Sequence, residues 1–348
     1  QRHQRRLLPR LAQTYAMAFA HEVFLEKFDD VFSGRHDTDD DRQDLETLAA
    51  ALKPLSTWAA LDILQEAREA CGGNGFLAEN RLTTLRADMD VYATFEGDNN
   101  VLLQLVAKRL LTDYSKKFAG ADVGAMAQYV ADQVGDAAIN RTGLRRFAQS
   151  MVDFGSTARS VGYIRDTDSQ RQLLTDRVQT MVAEVAGRLR NANKLPQMEA
   201  AQLFNSNQNA LIEAARAHGE LLQWEAFTDA VEKVEHEDTR QVLTWLRDLF
   251  GLGLIEKHAA WYLIAGRIST QRAQAITSYI DDRLLPRLRE QALPLVAAFE
   301  FTADHIGAPI ALGAEKERQD EAMEYYRTLR ESGAAPIEEK SLPKAVKR

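Results

Sequence analysis

Apolar side chains recur three and four residues apart along almost the whole chain, as at Leu7, Leu8, Leu11, Tyr15 and Phe19, while strict alternation over a strand's length is scarce. This spacing gives each segment one apolar stripe and one polar face, which suits a packed helix and not a half-buried strand. The expected fold is therefore all-α. With 348 residues, 45% of them hydrophobic, the chain can bury a sizeable core, and its length suggests two domains.

Punctuation in the sequence divides the helices. A first helix is expected from about His3 to Phe32, ending at the acidic loop Asp37-Thr38-Asp39-Asp40-Asp41. A second runs from about Asp41 to Cys71, with a kink expected at Pro54 and a stop at Gly72-Gly73. Asn74 to Phe95 reads as an irregular stretch, too long to be a plain connection, and such loops often carry function. A third helix starts near Asp98, where Gly97-Asp98-Asn99-Asn100 offers capping side chains, and runs to about Lys117. The composition shifts at Ala119-Gly120-Ala121-Asp122, which places a domain boundary there. The expected domains are 1–118 and 119–331, followed by a flexible tail over 332–348 that carries Gly333, Pro336 and Pro343. Helices in the second domain are expected at about 142–165, 168–192, 197–234, 238–265, 269–302 and 315–332.

Charge and cysteine usage exclude some partners. A net charge of -8 with interspersed signs offers no continuous positive surface for phosphates, so nucleic acid is not an expected partner. No run of about 18 apolar residues predicts a membrane span. The single cysteine, Cys71, excludes an internal disulfide and reads as a small buried side chain in a reducing compartment. The start Gln1-Arg2-His3-Gln4-Arg5-Arg6 lacks a signal peptide's apolar stretch, and Val346-Lys347-Arg348 is not a Ser-Lys-Leu peroxisomal address. A soluble, cytoplasmic protein is the resulting expectation, with its N-terminus read as a cut inside a longer chain. The seven histidines form no helical pair and join no cysteine cluster, so no metal site is expected. Trp224, Trp245 and Trp261 read as core or interface anchors.

The most informative stretch is Glu69-Ala70-Cys71-Gly72-Gly73-Asn74-Gly75-Phe76-Leu77, then Asn80-Arg81-Leu82 and Leu85-Arg86-Ala87-Asp88, then Thr94-Phe95-Glu96-Gly97-Asp98-Asn99-Asn100-Val101-Leu102-Leu103-Gln104. Its glycines allow close backbone approach, and Glu96 sits at a turn just before a helix N-terminus. Singly, these are ordinary: a Gly-rich helix end is usually a C-cap, and an acidic residue before a helix is usually a favourable charge on the dipole. An Arg86–Asp88 ion pair bracing the loop is one reading of that segment, a solvated surface pair the other.

In this order and spacing the segments resemble the acyl-CoA oxidase family and the wider acyl-CoA dehydrogenase superfamily. The likeness is strongest over residues 1–118 and looser beyond. Leu284-Leu285-Pro286-Arg287-Leu288-Arg289 and Ala292-Leu293-Pro294-Leu295-Val296-Ala297-Ala298-Phe299 resemble the extra C-terminal helical domain of the oxidases. The resemblance thus implies a dehydrogenase-type helical bundle followed by an oxidase-type helical domain.

It also implies roles. Glu96 would remove the α-proton of an acyl thioester, which requires a carboxylate held in a dry pocket where desolvation brings its pKa towards the working range. The Glu96 backbone N–H and a flavin ribityl hydroxyl would stabilise the enolate, and the β-hydride would pass to FAD, giving a trans-2-enoyl-CoA. Gly97 would lie by the substrate and Asp98 and Asn100 by the FAD. Gly72 and Gly73 would contact the dinucleotide part of the FAD across a homodimer interface, and His3-Gln4 resembles a further FAD-contacting pair. Many dehydrogenases carry Gln at the position of Glu69 and Thr at that of Asp98; both departures agree with the oxidase branch. The resemblance leaves open whether electrons pass to oxygen or to an electron-transfer flavoprotein. Because the family's N-terminal half supplies part of the flavin site, this chain alone is expected to be inactive. The rival expectation is a non-catalytic helical dimerisation or binding module derived from the same fold.

Overall fold

The structure is a computed structural model and describes residues 1–119 and 162–334. Among these residues every element is a helix or a helical turn, which agrees with the all-α expectation. The chain opens with two long helices, α1 (Arg2–Phe32) and α2 (Asp39–Ala70). α2 begins two residues earlier than the acidic run suggested, because Thr38 and Asp41 form a reciprocal capping box and the first-turn aspartates favour the positive helix end.

Two short 3₁₀ turns follow, Gly72–Phe76 and Ala78–Asn80, then α3 (Leu82–Thr94) and α4 (Asn99–Ala119). The segment expected to be irregular is therefore mostly helical. α3 buries none of its residues, so it shows no core stripe for periodicity to detect.

In the second half the helices are α5 (Thr167–Leu189), α6 (Gln197–Ser206), α7 (Gln208–Glu232), α8 (Glu237–Lys257) and α9 (Ala259–Ile264). α10 (Thr270–Tyr279), a π turn at Ile280–Leu284, α11 (Leu285–Ala297), α12 (Ala303–Ile306), a 3₁₀ turn at Pro309–Leu312 and α13 (Ala314–Glu331) complete it. Three expected long helices are thus interrupted. Asn207 breaks one by turning its amide onto Leu203 O at 2.8 Å, a side chain competing with the backbone ladder. His258 divides α8 from α9, where it reaches the Glu220 carboxylate. At the π turn Leu285 N donates to Ile280 O, a widening set just ahead of Pro286, whose nitrogen has no hydrogen to donate. The helix expected over 142–165 and the tail beyond residue 334 lie largely outside the described residues.

The core gathers on α7, which packs against α1, α2, α4, α5 and α8. Trp224 and Phe227 are fully buried in it, together with Tyr262, and Trp245 and Trp261 pack partly buried against the same cluster. Leu8, Ala12, Tyr15 and Ala16 of α1 belong to this cluster as well, and Tyr15 donates its hydroxyl to Leu295 O at 2.7 Å. One contiguous core therefore joins the first helix to the last third of the chain. α2 packs on α1, α4 and α7, and α3 packs on α2.

Candidate active site

α2 ends at Ala70, with Cys71 capping it through a bond from its N–H to Ala67 O, half-buried and not fully enclosed as expected. Gly72 then takes φ +60°, a left-handed value that a side chain disfavours. At Gly75 a Cβ would stand 2.0 Å from Arg68 O, so the loop folds against α2 only because no side chain is present. Asn80 locks this loop: its amide donates to Asn74 O at 2.9 Å, and its oxygen accepts Ile310 N at 3.0 Å. Arg81 donates to Ile306 O at 2.8 Å, so the Asn80-Arg81 pair ties the loop to the C-terminal helices. Arg86 donates to Gln65 Oε1 at 2.5 Å on α2 and does not pair with Asp88.

α3 packs back along α2 and delivers the turn Phe95 to Asp98. Two consecutive residues there are left-handed, Glu96 at φ +59° and Gly97 at φ +99°. For a residue with a Cβ such as Glu96 this conformation costs about 1–3 kcal/mol and persists only where surroundings impose it. Here both flanks are fixed. Phe95 N donates to Val91 O at 3.0 Å, ending α3. Asp98 Oδ1 accepts Asn100 N at 2.8 Å and Val101 N at 3.2 Å, capping α4. Beneath the turn the Lys53 ammonium donates to Gly97 O at 2.7 Å and Asn99 Oδ1 at 2.8 Å. Burial pulls the Lys53 pKa below its ordinary value, while the charges of Asp98 and Glu96 pull it back.

The Glu96 carboxylate is exposed and, among the described residues, has no hydrogen bond or ion pair. Flanking it in sequence, Tyr92, Phe95 and Val101 are 51%, 43% and 61% exposed and give the turn an exposed apolar rim, with the Tyr92 and Phe95 rings 5.0 Å apart. Gly97, Asp98 and Asn100 share this turn, and all three are exposed.

The other predicted residues lie elsewhere. His3 and Gln4 stand at the first turn of α1, where Arg6 pairs with Glu66 and with Glu69 at 3.6 Å near the end of α2. That places them at the same end as Gly72 and Gly73. Lys53, beside Glu96, is 17 residues from Ala70 along α2, or roughly 25 Å at the helical rise. The chain therefore gathers Glu96, Gly97, Asp98 and Asn100 at one place, and His3, Gln4, Gly72 and Gly73 at another. Sequence reading missed Lys53 and Thr57 of α2, and gave Asn99 only as a capping residue, whereas its side chain joins Lys53 to Thr57.

Both groups suit a flavin dinucleotide. Gly72 and Gly73 are exposed with nothing within 4 Å of where a Cβ would stand, an open backbone surface for a flat or phosphorylated group. Asp98 and Asn100 add an exposed polar pair beside Glu96.

Known proteins resemble this chain. The acyl-CoA oxidase C-alpha1 domain family matches residues 1–111, and the acyl-CoA oxidase family matches residues 166–313. The Arabidopsis thaliana protein named acyl-coenzyme A oxidase 2, peroxisomal, is 32% identical over 322 residues, covering 92% of this chain and 44% of that protein. The solved structure of Arabidopsis thaliana acyl-CoA oxidase 1 superposes with a TM-score of 0.71 at 26% identity, over 88% of this chain and 44% of that one. Acyl-CoA oxidase-1 of Caenorhabditis elegans, solved with FAD and ATP, shares the fold at a TM-score of 0.69 and 20% identity, over 88% of this chain and 43% of that one. The chain thus spans less than half the length of these relatives.

One expectation is corrected. Several relatives are named peroxisomal, against the cytoplasmic reading. A single cysteine and the lack of long apolar runs limit redox state and membrane spanning, and neither distinguishes one reducing compartment from another. With the motif turn, the helical fold and these matches in agreement, the chain belongs to the acyl-CoA oxidase family and corresponds to the C-terminal half of that family.

Proposed function

We propose that this chain is the catalytic-base half of a peroxisomal acyl-CoA oxidase, converting fatty acyl-CoA to trans-2-enoyl-CoA. The observation that carries the reading is Glu96: a free, exposed carboxylate on a left-handed turn, fixed from both flanks and from below. Such a base is held in place without being neutralised by a partner.

Glu96 takes the α-proton, and its own backbone N–H donates to the thioester oxygen as negative charge builds there. Gly97 lets the acyl thioester approach the backbone closely. The exposed rim of Tyr92, Phe95 and Val101 is covered by the N-terminal half of the enzyme, which excludes water and strengthens the base. FAD, when bound, supplies the acceptor for the β-hydride, with Asp98 and Asn100 beside it. In keeping with the oxidase family, the reduced FAD would pass its two electrons to oxygen, giving hydrogen peroxide, and not to an electron-transfer flavoprotein. The separation of the two residue groups along α2 supports a homodimer in which His3, Gln4, Gly72 and Gly73 of one chain serve the FAD beside Glu96 of the other. Residues 1–348 by themselves bind FAD weakly and turn over little substrate.

The test is to mix full-length flavoprotein anaerobically with a medium-chain and a long-chain acyl-CoA. Bleaching of the oxidised flavin band in wild type but not in Glu96→Gln is expected, followed by rapid recovery in air. Flavin binding without bleaching in either protein would reject the reaction, and failure to bind flavin would favour a non-catalytic helical module.

A further inference from the structure

Lys53 lies inside α2, one residue before Pro54 and 44 positions from Gly97 in sequence. Its side chain is half-buried, and its ammonium, with three protons to donate, faces three oxygens: Gly97 O at 2.7 Å, Asn99 Oδ1 at 2.8 Å and, more distantly, Ala93 O at 3.5 Å. Ala93 belongs to the last turn of α3, where carbonyls lack helical partners and the negative end of the helix favours a cation. Asn99 is 1% exposed and relays the contact, its amide donating to Thr57 Oγ1 at 3.0 Å. Thr57 in turn donates to Lys53 O at 2.9 Å. The bonds close a ring on α2, with contacts on both sides of Glu96: Ala93 before it, Gly97 and Asn99 after it.

We infer that Lys53 is the positioning residue for Glu96, holding the left-handed turn that carries the base and keeping a positive charge behind it. The inference rests on the reading of Glu96 as the base. Beyond the backbone bond of Phe95 and the Asp98 cap, Lys53 is the only charged side chain among the described residues that donates to this turn. Gly97 is free to adopt many backbone conformations, and without the ammonium its carbonyl and the Asn99 oxygen lose a charged donor. Glu96 then relaxes from a conformation that a side chain disfavours. A base displaced by about an ångström loses on the order of a hundredfold in rate while substrate still binds. Lys53→Met keeps the aliphatic stem and removes the charge and donors; Lys53→Arg restores both.

The experiment takes full-length holoprotein with Lys53→Met, Lys53→Arg and Glu96→Gln and applies two readouts. Amide hydrogen exchange over residues 95–102 should quicken at least tenfold in Lys53→Met and stay near wild type in Lys53→Arg. In turnover, Lys53→Met should lower kcat by about 10–100-fold. KM and flavin content should hold, and the isotope effect from α-deuterated acyl-CoA should grow; Lys53→Arg should recover most of the rate. Unchanged exchange and kcat in Lys53→Met would overturn the inference, as would equal loss of flavin and fold in both lysine variants. If exchange quickens but Glu96→Gln turns over like wild type, the base assignment has failed. Lys53 is then a brace without catalytic meaning, and the inference falls with it.

Discussion

Glu220 lies 4% exposed on α7 with Arg177 at 2.7 Å, Lys257 at 3.0 Å and His258 at 3.3 Å, whereas Glu96 stands exposed on a strained turn with no hydrogen bond or ion pair among the described residues. Burial pushes the Glu220 carboxyl up, but the His258 hydrogen bond and the charges of Lys257, His258 and Arg177 override it and hold the group far below the ordinary carboxylate range. Strongly perturbed carboxylates are often taken as pointers to active sites. Here the perturbed one is a joint that binds α5 and α8 to α7, while the motif and the backbone strain mark the other. Arg177, Lys257 and His258 engage Glu220 from three sides, whereas Glu96 has no such pairing among the described residues.

If that contrast holds, the two residues should exchange symptoms on mutation. The largest effect is expected from Glu96→Gln in the full-length protein: turnover falls by about 10³-fold, the scale of a lost general base, while thermal melting is unmoved. A parallel loss of stability would break the comparison. Glu220→Ala should do the reverse, leaving Arg177 buried without its counter-charge and costing about 3–5 kcal/mol in urea unfolding. Folded molecules of that variant should keep their turnover.

A smaller effect sharpens the geometric side of the comparison. Gly97→Ala puts a Cβ at φ +99°, 3.2 Å from Leu102 Cδ2. It should cost about 1–2 kcal/mol and slow turnover on the order of tenfold or more, as strain shifts Glu96.

The last effect, read in stability alone, separates two acid-sensitive groups. Burial pulls the His218 imidazole from 6.5 down to about 4, with Asp113 pulling it back. Between those values the unfolded chain binds a proton that the folded one does not, so stability rises with pH and is lost on acidification from 6.5 towards 4. Glu220, whose folded pKa is depressed, loses its contribution only as pH falls below the ordinary carboxylate range. Melting temperatures followed from neutral to acid pH should therefore decline in two stages, and His218→Gln should flatten the first alone.

Much of this was legible in residues. The long helices announce themselves because α1, α5, α7 and α8 bury a stripe against a common core and α2 buries its own against smaller clusters, and periodicity reports such stripes. α3 was invisible for the converse reason, since none of its residues is fully buried in this chain. Helix interruptions at Asn207 and His258 depend on where single side chains turn, Asn207 onto its own helix and His258 across to Glu220, and neither leaves a periodic signature. Within the candidate site the run Phe95 to Asn100 could be read directly, as its parts are neighbours in sequence. Lys53 could not, because only folding brings it to Gly97 across 44 positions. Composition likewise could not name the compartment, for which relatives gave the correction.

The central claim, that Glu96 takes the α-proton, is tested most directly by following the label itself. Full-length wild type, Glu96→Gln and Glu220→Ala are mixed with acyl-CoA deuterated at the α-carbon, and release of deuterium to water is measured by NMR. The account predicts release by wild type and by the folded fraction of Glu220→Ala, and none above background by Glu96→Gln. Release by Glu96→Gln at the wild-type rate would contradict it and place the base elsewhere in the enzyme.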